Sequence, residues 1–142
     1  MKDRTAELLP QALLDKIAAV ATVRTFPKRA IIVTEGDDTD SLYVLLSGKA
    51  RVFVADDKGR EVQLNQLGAG EYFGEVTLDG GPRSASVMAL EECRCAVVKR
   101  AELTPFIEKN PELALHIVRK LARRVRDLTE NVRSLEIGRA HV

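Results

Sequence analysis

The sequence predicts an α+β fold, a small antiparallel barrel or roll set between a short N-terminal helix and a long C-terminal helix. Three observations predict it. Short β-type runs separated by glycine-bearing turns fill Val23 to about Lys99. Helical periodicity opens the chain at Pro10–Ala21, and a second, far more regular periodicity closes it from Pro111.

The elements follow in order. Pro10 opens a segment with Leu13, Leu14, Ile17, Ala18 and Val20 on an amphipathic spacing, which suits a helix. The β runs are Ala30–Val33, Leu42–Leu46, Ala50–Val54, Val62–Leu67 and Cys93–Val98. Turn signals lie between them at Glu35–Asp38, Ser47–Lys49, Asp56–Arg60 and Gly68–Glu71. Asp57-Lys58-Gly59, between two alternating runs, predicts a hairpin. Strands this short at this spacing suit a closed antiparallel roll. Glu102–Asn110 reads as a short helix, and Pro111 opens another that runs to about Leu135, ~25 residues or ~37 Å.

That last helix carries Ala114, Val118, Leu121, Val125, Leu128, Val132 and Leu135 at alternating spacings of four and three. Val118, Val125 and Val132 fall at one heptad position, and Leu121, Leu128 and Leu135 at the other. β-Branched residues at a with Leu at d favour a parallel two-stranded coiled coil, so a homodimer through this helix is expected. The other face holds Arg119, Lys120, Arg123, Arg124, Arg126 and Arg133 against Asp127 and Glu130, which reads first as a solvated face.

Composition narrows the function. The chain has 142 residues, 45% hydrophobic and 30% charged, which suits one globular domain with a core of its own. With 22 Lys+Arg against 21 Asp+Glu, the net charge of +1 gives no footprint for nucleic acid over the whole chain. No apolar run approaches the ~20 residues of a membrane helix. The N-terminus lacks a signal-peptide pattern, so a cytoplasmic protein with reduced thiols is expected.

The stretch richest in chemistry is Glu71–Val87. Gly74, Gly80 and Gly81 let backbone approach a ligand closely and could offer N–H donors. Phe73–Thr77 suits one helical turn, whose N-terminus attracts anions. Arg83 supplies a planar fork for a phosphate and Ser84 a hydroxyl, while Glu75 can accept from sugar hydroxyls. Together these residues fit a sugar phosphate. They equally fit a structural Glu–Arg pair over a glycine turn.

Phe73-Gly-Glu75 followed by Pro82-Arg-Ser-Ala-Ser86 resembles the phosphate-binding cassette of the cyclic-nucleotide-binding domain, most nearly that of catabolite-activator-type bacterial regulators (the CRP/FNR superfamily). The resemblance extends through Glu35-Gly36, Leu42–Gly48 and its following strand, Gly59-Arg-Glu61, Gly68–Phe73 and the final helix. It implies a β-roll of the double-stranded β-helix, jelly-roll-like kind. It also implies roles. Arg83 would pair with the phosphate, Glu75 would accept the ribose 2′-OH, Gly74, Val76 and Ser84 would complete the pocket, and Thr129 would meet the base. Leu128 stands where a second hydroxyl is expected, and only seven residues separate Glu75 from Arg83, fewer than in the cyclic-AMP binders of the family.

The expectation is a sensor for cyclic AMP or cyclic GMP, without cofactor, metal or catalytic residue, that dimerises through its last helix. A regulatory module of a kinase or channel, or a member tuned to another effector, is the alternative. DNA would be met only through a helix-turn-helix domain that this chain lacks, since nothing after Leu135 has room for a recognition helix. Residues 1–110 would be the roll and 111–136 the dimerisation helix. Ile137–Val142 back-translates to the start of a common sequencing adapter, so residues 137–142 are expected to be a non-native tail.

Other chemistry lacks residues. Cys93 and Cys95, at i and i+2 of a strand, make neither a normal disulfide nor a CxxC motif. His116 and His141 lack a third ligand. Asp37, Asp38 and Asp40 do not follow an EF-hand pattern and read as a solvated turn. Ser84 and Ser86 have no histidine near them in sequence for a nucleophilic triad.

Overall fold

A computed structural model describes residues 8–140, with Val76 and residues 135–140 described by their backbone alone. His141 and Val142, the end of the expected tail, lie outside the described residues. The order of elements is α1 (Gln11–Val20), β1 (Thr22–Phe26), β2 (Ile31–Val33), β3 (Leu42–Ser47), β4 (Ala50–Ala55), β5 (Glu61–Leu67), β6 (Tyr72–Phe73), a 3-10 helix (Glu75–Asp79), β7 (Ser86–Ala89), β8 (Cys93–Val98), α2 (Arg100–Lys109) and α3 (Pro111–Ala140). The chain divides into two compact units after Phe106.

In the first unit the described strands form two four-stranded sheets, ordered β1-β8-β3-β6 and β2-β7-β4-β5. Every pairing is antiparallel. The inner faces meet in one apolar core that includes Phe26, Leu45, Phe73, Val87, Cys95 and Val97. Sequence β runs map onto β2, β3, β4, β5 and β8. Three strands lacked a run of their own, namely β1, β6 and β7. β6 is two residues long, too short for alternation to show. β7 is hidden behind the polar Ser84–Ser86 stretch.

α1 begins where the Pro10 carbonyl accepts from Leu13 N and Leu14 N. Leu13, Leu14 and Ile17 are buried. Val20, counted on the apolar face by spacing, is exposed at the last turn. The Asp56–Gly59 turn joins β4 to β5 as expected, and Asp56 Oδ1 accepts from the Lys58 and Arg60 backbone N–H groups.

In the second unit α3 runs 30 residues, ~45 Å, and continues past Leu135 to Ala140. Neither a proline nor a positive-φ glycine interrupts its last turns, so the backbone ladder continues. Leu113 and Ile117 are buried, whereas Val118, Val125, Leu128 and Val132 are 59–64% exposed.

The topology fixes the site. β3 pairs with β6 through Tyr43↔Phe73, and β2 pairs with β7 through Val33↔Val87. The β2–β3 loop and the β6–β7 segment therefore each cross between the same two sheets, side by side.

Candidate ligand-binding site

Those two crossovers interlock by backbone. Arg83 N donates to Asp37 O at 2.9 Å, and Gly36 N donates to Arg83 O at 2.9 Å. Glu35 N donates to Ser86 Oγ at 2.9 Å. Arg83 is thus held by its main chain before its side chain is considered.

The side chain is 3% exposed. Its Nε donates to Thr39 Oγ1 at 2.8 Å, and its Nη2 donates to Ser41 O at 2.8 Å. The guanidinium lies over the Tyr43 ring, 5.6 Å from its centroid. Tyr43 in turn stacks on Phe73, with centroids 5.1 Å apart and planes 3° from parallel. Nη1 is buried and makes no hydrogen bond. An unmade bond on a buried cationic nitrogen is costly, and an anion is the group that would satisfy it. Burial pushes the guanidinium below its usual range, opposed by Tyr43, Asp40, Asp37 and Glu75.

Gly74 sits on the same spot. A Cβ there would fall 2.5 Å from Arg83 Nη1 and 2.8 Å from Ser41 O, and the backbone has φ +99°. Both facts require glycine. Glu75 follows, 2% exposed, in the first turn of the 3-10 helix. Thr77 Oγ1 donates to Gly74 O at 2.7 Å and closes that turn. At its other end Arg100 Nη2 donates to Thr77 O at 3.1 Å and Leu78 O at 2.6 Å.

The structure brings half-buried Gly74 and buried Glu75 and Arg83 together. Ser84 is exposed beside it, and the Val76 side chain lies outside the described residues. Two expectations need correction. The Gly80 and Gly81 N–H groups are not free donors, because Gly80 N donates to Thr77 O and Gly81 N to Asp79 Oδ1. The helical turn is a five-residue 3-10 helix over Glu75–Asp79, so it begins two residues later than expected. Thr129 lies in the second unit, its hydroxyl donating to Val125 O at 2.9 Å.

Thr39 and Ser41 were missed by sequence reasoning. They stand in or beside the acidic turn read as solvated, where Asp37, Asp38, Thr39 and Asp40 are indeed exposed and Ser41 is half-buried. Only the pairing of the two crossovers brings them to Arg83.

A profile of the family described as "Cyclic nucleotide-binding domain" matches residues 23–110, well over half of the chain. The chain belongs to the cyclic nucleotide-binding domain family. The roll described above is the part this family match covers. The cAMP-activated global transcriptional regulator CRP of Haemophilus influenzae is 31% identical over 125 residues, 87% of this chain and 56% of that protein. The Thermus thermophilus catabolite activator protein superposes with a TM-score of 0.82 at 33% identity, covering 90% of this chain and 61% of that one. The EAL enzyme Bd1971 in its cAMP-bound form gives 0.59 at 32% identity, covering 79% of this chain and 30% of that one. The chain spans about half the length of the curated relatives it matches, 50–56%.

Among the described residues no group of three or more His, Cys, Asp or Glu side chains could hold a metal ion, and no helix is long and apolar enough to cross a membrane. Cys93 and Cys95 are buried free thiols, and burial raises both, Cys95 to about 12. Neither offers a thiolate at neutral pH.

Proposed function

We propose that this chain is the ligand-sensing and dimerisation half of a bacterial CRP-type transcription regulator, and that it binds cyclic AMP or cyclic GMP. The observation that carries the reading is the buried, hydrogen-bond-free Nη1 of Arg83 against the Gly74 backbone. A cyclic phosphate diester is a compact anion that this nitrogen can bind with a charge-assisted bond. Glu75 accepts the ribose 2′-OH, and Gly74, Val76 and Ser84 close the pocket. The cAMP-activated relative and the cAMP-bound enzyme support cyclic AMP as the first ligand to test.

The exposed stripe of Val118, Val125, Leu128 and Val132 supports a second copy of this chain as the partner of α3, with Leu121 and Leu135 completing the seam. The nucleotide acts by binding one dimer arrangement better than another. DNA is read by a domain outside this chain, and the chain itself performs no catalysis. A regulatory module of an enzyme is the second reading, favoured by the likeness to the EAL enzyme. The Val/Leu seam favours the first.

Equilibrium dialysis of the purified chain against labelled cyclic AMP and cyclic GMP tests the ligand and ranks the bases. Micromolar retention of either supports the reading. No retention of both, in a chain that melts cooperatively, overturns the ligand.

A further inference from the structure

We infer that Thr39 is a positioning residue that sets which edge of Arg83 meets the ligand phosphate. The inference rests on the cyclic-nucleotide reading above and names a determinant of affinity within that site.

A guanidinium is flat and offers two forks. One is formed by Nε–H with an Nη2–H, the other by the two terminal nitrogens. Thr39 Oγ1 accepts from Nε and Ser41 O from Nη2, each at 2.8 Å, so the fork that includes Nε is already engaged. Nη1 is the buried atom without a hydrogen bond. Arg83 therefore has Nη1 left for a ligand, and the β2–β3 loop decides this.

The two acceptors differ in kind. Ser41 acts through a main-chain carbonyl, which substitution does not remove. Thr39 acts through its hydroxyl, on a residue whose own backbone is not what locks the loop to Arg83; that lock is made by Gly36 and Asp37. Removing the hydroxyl frees Nε without unmaking the crossover pair. The long side chain then regains rotamer freedom that ligand binding has to remove again. The loss falls on affinity, and folding loses some stability too, because the buried Nε is left without an acceptor.

The test compares the parent with Thr39→Val, which keeps the shape, and Thr39→Ser, which keeps the hydroxyl. Two readouts are used on each: cyclic AMP affinity, and the Nε–H resonance of Arg83 in the nucleotide-free protein, assigned with Arg83→Lys. The expected result is a slowly exchanging Nε–H in parent and Thr39→Ser, lost in Thr39→Val, with affinity roughly tenfold weaker in Thr39→Val alone. An unchanged Nε–H and unchanged affinity in Thr39→Val overturn the inference. So does equal weakening in Thr39→Ser. If the parent binds no cyclic nucleotide, the functional reading fails by itself, and the Nε–H readout still decides whether Thr39 positions Arg83.

Discussion

At the scale of single residues, the site depends on a few positions where geometry leaves one option. Gly74 is one of them. Gly74→Ala forces a Cβ against Arg83 Nη1 and Ser41 O at a positive φ. It should lose ligand binding and destabilise the fold by about 2 kcal/mol or more, read as a lower urea midpoint at unchanged slope. The cysteines give a second prediction. With Cys95 raised to about 12 and Cys93 raised in the same direction, both should resist a thiol reagent at pH 8 until denaturant is added. Rapid labelling of the native chain contradicts the burial described here. Gly74, Glu75 and Arg83 were legible in sequence because their order and spacing make a local pattern. Thr39 and Ser41 were not, since they lie 44 and 42 residues from Arg83 and only pairing of distant strands unites them.

The scale of elements separates what periodicity shows from what it hides. β8 was legible to the residue, because Cys93–Val98 is a run apolar at every position but Arg94. β6 and β7 were not, because a two-residue strand and a polar-led strand carry no period. The β4–β5 hairpin was legible through its turn chemistry, and it carries a pH prediction. Backbone hydrogen bonding from Arg60 lowers the Asp56 carboxyl below its ordinary value. A depressed carboxylate adds stability above its unfolded pKa, lost as pH falls through the folded value. Acid titration below about pH 4 should therefore loosen this hairpin, and Asp56→Asn should flatten that part of the pH profile. α3 was legible as a helix. Its exposed valines and leucine predict that Val125→Glu with Leu128→Glu sediments as the 15.7 kDa monomer while the parent sediments at twice that mass. A parent that is monomeric at high micromolar concentration removes the dimer proposal.

For the whole molecule, the arrangement that matters is the pair of neighbouring crossovers between two antiparallel sheets. Each strand pairing is ordinary, yet together they place an arginine from one crossover among acceptors from the other. The core behind it, with Tyr43 beneath the guanidinium and Phe73 stacked on Tyr43, keeps the cation in place while a hydroxyl and a carbonyl, not a carboxylate, accept from Nε and Nη2. A near-neutral chain can in this way hold one well-aimed positive group, which suits a small anionic ligand better than a polyanion. The roll was legible as a class from run length and turn spacing. The interlock was not, because it is a property of topology. The most direct measurement is a calorimetric titration of the chain with cyclic AMP, beside Arg83→Ala and with matched thermal melts. The parent should bind with micromolar affinity, weakened roughly ten- to hundredfold in the variant. Equal affinity in both proteins would contradict this, since the phosphate would then be held somewhere other than Arg83.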